Sequence, residues 1–425
     1  MTNVSSSAEK KQYLVSITII GILFFIFGFV TWTNGTLIPY LKIACQLTDF
    51  QSFLVLTAFF IAYTVMAIPS SILLKKTGYK KGMSVGLFVM AIGAMIFIPA
   101  ANTRDYNLFL LGLFIIGSGL ALLQTASNPY ATIIGPIESA AMRISIMGIC
   151  NKIAGILAGL IFGYIALNDA DALVENLKTM DTATKEATLN ELASRVIVPY
   201  VIIASVLVAL AIAVLFSSLP DIKDDEDDTS SSSSSPTKTS ILQFPYLILG
   251  VITLFLYVGV EVLAGDSIIS YGKSLDIDLS IARYFTQGTL ACMLIGYIVG
   301  ITMIPKLLSQ DTALKICAFL GILFTVLAVI TTGYVSVAFI ALLGLANSLM
   351  WPAIWPLAIG GLGKFTKTGS ALLVMAIAGG AILPLIFSKI AESTGMQNAY
   401  LIMVPCYLFI LYFAMKGHKL GREKA

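Results

Sequence analysis

Long apolar runs separated by short polar breaks fill nearly the whole chain. A helix needs about 20 apolar residues to cross a bilayer. Twelve runs qualify, with approximate limits 13–40, 50–74, 82–100, 106–134, 142–167 and 196–218, then 244–271, 280–306, 312–332, 334–358, 367–389 and 398–416. The first run is too long for the core of a signal peptide, and no small-residue cleavage site follows it, so it is expected to stay as a helix. Two segments break the pattern. Residues 168–195 are polar and helix-prone, which predicts a short surface helix. Residues 219–241 hold a run of acids followed by six serines, a composition that cannot bury a core and reads as a flexible linker.

That linker follows six spans and precedes six more. The expected organisation is a six-helix bundle over 1–218, a linker over 219–241 and a second six-helix bundle over 242–425. A weak internal repeat agrees with it. Gly119-Leu120-Ala121 and Ile134-Gly135 recur at one constant offset as Gly344-Leu345-Ala346 and Ile359-Gly360, equating the fourth span with the tenth.

Composition removes the soluble alternatives. Of 425 residues, 58% are hydrophobic and only 12% charged, about half the usual charged share, and the mean hydropathy is +0.92. Such a chain cannot cover a water-facing surface, so it is an all-α integral membrane protein. A net charge of +3 is too small to imply a nucleic-acid partner. The sole histidine, His418, lies in the C-terminal tail. That excludes a histidine-built zinc site, a Ser-His-Asp hydrolase and a histidine proton relay within the membrane. Cys45, Cys150, Cys292, Cys317 and Cys406 are scattered and read as small apolar core residues. Lys and Arg favour the segments on the side of the termini by roughly two to one, which predicts cytoplasmic termini and a cytoplasmic linker.

Polar groups inside hydrocarbon are costly, so each is either helix–helix glue or a functional group. Glu261 sits near the middle of the seventh span, and Asp266 follows five residues later, toward that span's outer end. A carboxylate in low dielectric is costly as an anion, so it can take up a proton or hold a cation as a cavity opens to each side. Lys152 lies about ten residues into the fifth span, a rise of about 15 Å. Its candidate partners are Glu261 and Asp266. Neutral amides gather in corresponding spans: Asn34 in the first, Gln124 and Asn128 one turn apart in the fourth, Asn151 in the fifth and Asn347 in the tenth. Amides both donate and accept, as a polyhydroxylated substrate demands. Trp351 and Trp355 are one turn apart in the tenth span, which Pro352 and Pro356 break up. An indole face packs against the C–H face of a sugar ring; the plainer reading is a core or interfacial tryptophan.

The loop PSSILLKKTGYKKG at 69–82 turns at Gly78 between two basic pairs. It resembles the basic inner-loop motif of the major facilitator superfamily, in the form of the fucose–glucose/galactose:cation symporter family. FGFVTWTNGTLIPYLK at 27–42, GLALLQTASNPY at 119–130, YVGVEV at 257–262 and GKFTKTGSALLVMAIAGGAILP at 363–384 resemble the same family. RISIMGICNKIAGI, YVGVEVLAGD and ANSLMWPAIWP look like its N-acetylglucosamine permease branch. The resemblance implies the major facilitator fold, with twelve transmembrane helices in two six-helix bundles and alternating access. It implies import of a neutral sugar, N-acetylglucosamine first, glucose or galactose next and fucose third. The driving ion would be a proton ahead of sodium, with no cofactor beyond the gradient.

This chain departs from the fucose–proton branch. Gly35 and Gln124 stand where that branch carries acids, so fucose is disfavoured and coupling falls to Glu261, Asp266 and Lys152. Asn151 matches a sugar-contacting Asn of the resembled family. Asn34, Gln124, Asn128, Asn151, Asn347, Trp351 and Trp355 are the candidate sugar contacts. The expected partners are a small-molecule sugar, a coupling cation and the lipid bilayer. The protein is expected as a monomer in a bacterial cytoplasmic membrane. The rivals are a polytopic glycosyl- or acyltransferase, which the lone tail histidine disfavours, and a sugar sensor that does not transport.

Overall fold

The computed structural model describes residues 7–133, 140–217, 219, 240–304, 308–362 and 365–422. Most of the 219–241 linker and the Ile134-Gly135 element of the repeat lie outside them.

The first half holds α1 (Ser7–Trp32), α2 (Asn34–Ala44), α3 (Asp49–Thr103), α4 (Tyr106–Ile133), α5 (Ala140–Leu167), α6 (Ala170–Leu177), α7 (Thr182–Ser194) and α8 (Ile197–Phe216). The second holds α9 (Pro245–Asp266), α10 (Ile268–Ser274), α11 (Leu279–Ala282), α12 (Phe285–Met303), α13 (Gln310–Ile330), α14 (Gly333–Asn347), α15 (Met350–Ile359), α16 (Thr366–Met375), α17 (Gly379–Thr394), α18 (Met396–Ala399) and α19 (Met403–Met415). Among the described residues, 11 helical stretches are long and apolar enough to cross a membrane. One of them, α3, has 55 residues and contains Gly78 at φ 76° and ψ 171°. Only a residue without Cβ takes that conformation cheaply. Gly78 therefore divides α3 into the second and third spans, and the twelve predicted spans are accounted for. Side chains such as Phe216 (81% exposed) and Ile330 (70%) face outward, as a lipid environment allows and water would not.

The polar segment 168–195 forms two helices, α6 and α7, where one was expected. Asp181 restarts the second: its carboxylate accepts the N–H groups of Ala183 and Thr184 at 3.1 and 3.2 Å, a capping arrangement.

Several spans are discontinuous. α1 gives way to α2 at Thr33, whose hydroxyl donates to the Phe29 carbonyl at 2.7 Å. α9 gives way to α10 at Ser267, whose hydroxyl donates to Leu263 O at 2.6 Å. Such bonds to the carbonyl four residues back bend helices. The tenth span breaks between Asn347 and Met350, just before Pro352 rather than at it. Proline lacks the N–H that the carbonyl four residues earlier, that of Ser348, would accept, and its ring crowds that carbonyl.

The two halves use matching helix pairs. α1 crosses α5 where a Cβ on Gly28 would lie 1.9 Å from the Asn151 carbonyl oxygen. In the second half, a Cβ on Gly379 of α17 would lie 1.8 Å from Phe255 O of α9. In both places only glycine lets the backbones meet. At the end remote from the termini the halves are clasped. Lys273 Nζ reaches Asp171 at 2.7 Å, the Ser280 N–H donates to the same carboxylate at 3.2 Å, and Arg283 donates to Asn168 Oδ1 at 2.7 Å. Phe53 of α3 and Phe387 of α17 also meet across the halves, with ring centroids 5.8 Å apart.

Candidate functional site

The contact between α1 and α5 sets the first cluster. Because Gly28 carries no side chain, Asn151 and Lys152 are pressed against α1. The Trp32 indole N–H donates to Asn151 Oδ1 at 3.1 Å, and Asn151 Nδ2 donates to Phe24 O at 3.5 Å. Lys152 Nζ lies 4.3 Å from the Trp32 ring centroid. Trp32 thus holds both polar residues of α5, one by hydrogen bond and one by its π face. It was not among the residues singled out from sequence, although it stands two residues before Asn34 in the WTNG stretch.

Lys152 pairs with Glu261, Nζ to Oε1 at 3.0 Å, with side chains 7% and 14% exposed. Of the two anions offered by the sequence, the nearer partner is therefore Glu261. The lysine does not snorkel to an interface; it spans from the first half to the second. Deleting one member of such a buried pair costs about 3–5 kcal/mol, because the other charge is left alone in low dielectric. The surface pairs of the clasp are worth at most about 1 kcal/mol each. Losing one partner at the centre is therefore costlier than losing one at the clasp.

Around Glu261 stand aromatic groups of the second half. Tyr257, Tyr297 and Tyr407 lie within electrostatic reach of its carboxylate. Tyr257 is one helical turn before Glu261, and its ring centroid is 6.4 Å from that of Trp351. Trp351 in turn stacks on Trp355 at 5.5 Å and 24°. The tryptophans are partly buried, so an aromatic wall leads from the tenth span to the ion pair.

The amides divide into two groups. Gln124 and Asn128 share a face of α4 and are partly buried, as is Asn151. Asn34 is 1% exposed, and its Nδ2 has no hydrogen-bond partner among the described residues. Asn347 is fully buried; its Oδ1 accepts the Tyr407 hydroxyl at 2.9 Å, while its Nδ2 is unpartnered. Half of Asn347's capacity thus ties the tenth span to the twelfth.

Asp266 does not lie toward an open outer end, as its place in the span suggested. It is 0% exposed, because the chain continues into α10 and because α2 and α12 cover it. A Cβ on Gly35 would lie 3.0 Å from Asp266 Oδ1 and 3.3 Å from Thr286 Oγ1.

Two similar helical halves, joined in the membrane interior by the buried Lys152–Glu261 pair beside an aromatic wall, have the build of a multi-pass membrane transporter. Comparison with known proteins gives the family. The Major Facilitator Superfamily model matches residues 20–383, and the chain belongs to that superfamily. It is 35% identical to a glucose/galactose transporter of Brucella abortus, over 98% of this chain and 97% of that one. It is 30% identical to the L-fucose-proton symporter of Escherichia coli, over 96% and 94%. Among solved structures it is similar to the transporter FucP in its outward conformation, with a TM-score of 0.74 and 29% identity, covering 97% of this chain and 100% of that one. These relatives are transporters and not enzymes.

Proposed function

We propose that the protein is a sugar–cation symporter that imports a neutral pyranose by alternating access. The observation that carries this reading is the Lys152–Glu261 pair, buried and shared between the two halves. An ion pair that must open and re-form as the halves move gives an arriving cation a handle on the conformational equilibrium. Trp351 offers an apolar face to a ring, and Gln124, Asn128 and Asn151 offer amides to hydroxyls; Asn34, Asn347 and Trp355 complete the proposed lining. Relatives named for glucose and galactose at 35% identity favour an aldohexose first. N-acetylglucosamine follows on the likeness of the fifth and tenth spans to that permease branch, and fucose comes third. A proton is preferred to sodium because a relative is named a proton symporter.

Purified protein in proteoliposomes is expected to accumulate labelled glucose or galactose when an inward proton gradient is imposed. Testing N-acetylglucosamine, fucose and a sodium gradient in parallel ranks the alternatives. Saturable binding with no gradient-driven uptake of any of these sugars would make the protein a sensor instead.

The proposed topology places both termini and the 219–241 linker in the cytoplasm of a bacterial inner membrane, since Lys and Arg crowd that side. Single cysteines introduced as Ser7→Cys and Ser232→Cys should resist a membrane-impermeant thiol reagent in intact cells and react after lysis. Labelling of either in intact cells inverts the orientation.

A further inference from the structure

A second anionic group lies close to the Lys152–Glu261 pair, and that pair does not satisfy it. Asp266 is wholly buried, and among the described residues no full hydrogen bond reaches either carboxylate oxygen, the Gly35 N–H being a nearby weak donor. A bare carboxylate in that setting is too costly to stand uncompensated. The groups around it are oxygen-rich or small. Gly35 of α2 approaches Asp266 closely: a Cβ there would lie 3.0 Å from Oδ1 and 3.2 Å from the Asp266 Cα. Thr286 of α12 brings its hydroxyl to the same spot while donating to the Gly265 carbonyl at 2.7 Å. Asn34, adjacent to Gly35, is buried with an amide nitrogen that is likewise unpartnered. Asn34 follows the break of the first span at Thr33, and Asp266 precedes the break of the seventh at Ser267. The charged groups that face Asp266 are Glu261 on its own helix and Lys152 on α5. α1 presents Trp32, which packs its ring on Gly265, and α2 and α12 present only Gly35 and Thr286. Lys152 is already bound to Glu261, so it does not discharge Asp266.

We propose that Asp266, Thr286 and the Gly265 carbonyl form a monovalent-cation pocket distinct from the Lys152–Glu261 pair, occupied by a proton or a sodium ion when the clasped end is closed. Hard cations prefer such oxygen donors, and the broken helix ends free backbone groups to serve them. The pocket's role in coupling rests on the symport reading above, but its existence does not.

The test therefore reads binding in the absence of sugar. Purified transporter in detergent is heated with sodium chloride or with choline chloride at equal ionic strength. A sodium pocket raises the melting temperature of the wild type and of Glu261→Gln, but not of Asp266→Asn. A proton pocket gives no sodium shift; instead the infrared spectrum contains a protonated-carboxyl band that Asp266→Asn removes and Glu261→Gln retains. Gly35→Ala places a methyl against Oδ1 while keeping the acid. It should weaken sodium binding at least tenfold, or in the proton case shift that band without abolishing it. This second variant covers the outcome in which Asp266→Asn fails to fold. If sodium binding and the carboxyl band are both the same in Asp266→Asn and Gly35→Ala as in the wild type, Asp266 holds no cation and the pocket does not exist. Because no flux is measured, a failed sugar uptake and a failed pocket remain separate results.

Discussion

Glu261→Gln is expected to abolish accumulation against a gradient while leaving counterflow exchange of sugar intact. The substitution keeps the shape of the side chain and removes its charge. Exchange needs only that the loaded carrier reorients, whereas accumulation needs the return step to depend on the cation. With Gln at 261, Lys152 no longer has an anion 3.0 Å away, and the cation loses its handle on the equilibrium between the two faces. Stability also changes. A buried ammonium left alone costs about 3–5 kcal/mol, of which the Trp32 face at 4.3 Å offsets at most about 2 kcal/mol. Lower yield is therefore expected of the single variant. The double variant Lys152→Met, Glu261→Gln removes both charges at similar volume, and should recover yield without recovering accumulation. Proteoliposome accumulation and counterflow assays separate these behaviours. Full accumulation by Glu261→Gln would assign the coupling step elsewhere, with Asp266 next in line.

Trp351→Ala should raise the half-saturation constant for sugar uptake roughly tenfold or more, with normal protein in the membrane. The argument is one of lost partners. The ring stacks on Trp355 and lies near Tyr257, and a sugar packed on its other side would lose its apolar contact. Trp351→Phe keeps a ring face and should be milder. Gln124→Ala and Asn151→Ala each leave a sugar hydroxyl unpaired, worth about 1–3 kcal/mol, so a similar weakening follows. Asn151→Ala has a second effect, because it also frees the Trp32 indole from its 3.1 Å bond. Uptake kinetics normalised to membrane protein decide the matter. Unchanged half-saturation in all three alanine variants would make these residues helix packing and move the sugar elsewhere.

The spans were legible because a hydrocarbon solvent imposes long apolar runs, and the turn at Gly78 was legible because its loop is short and basic. The breaks at Thr33 and Ser267 were not, since a hydroxyl bonded to its own helix leaves no mark in hydropathy. The tenth span shows the same limit: Pro352 announced a break, and its position one turn earlier follows only from which carbonyl the ring disturbs. Asn347 was chosen as a polar residue in a cavity-lining span, yet its bond to Tyr407, 60 positions away, is a tertiary fact. A tryptophan in an apolar run such as Trp32 looks ordinary in sequence; its role comes from Asn151 and Lys152 more than a hundred residues later. Gly35 read as the loss of an acid from the first span. The fold sets the Asp266 carboxylate against that glycine, and no one-dimensional pattern pairs positions so far apart.

If the pocket proposed at Asp266 carries the coupling cation, the buried charges also dictate where membrane voltage acts. Lys152 and Glu261 cancel, which leaves Asp266 as one negative charge in the interior. With a cation bound there and a neutral sugar beside it, the loaded carrier is close to electroneutral, and the potential does little to it. Once cation and sugar have left through the opened cavity, water would solvate the Asp266 carboxylate, and an interior-negative potential would push that negative charge to face outward again. Voltage then drives the reset of the cycle and leaves the uptake stroke almost untouched, by at most about 2.3 kcal/mol per 100 mV, or roughly fiftyfold in accumulation. A voltage step on sugar-free proteoliposomes should displace this charge, and saturating cation should silence it.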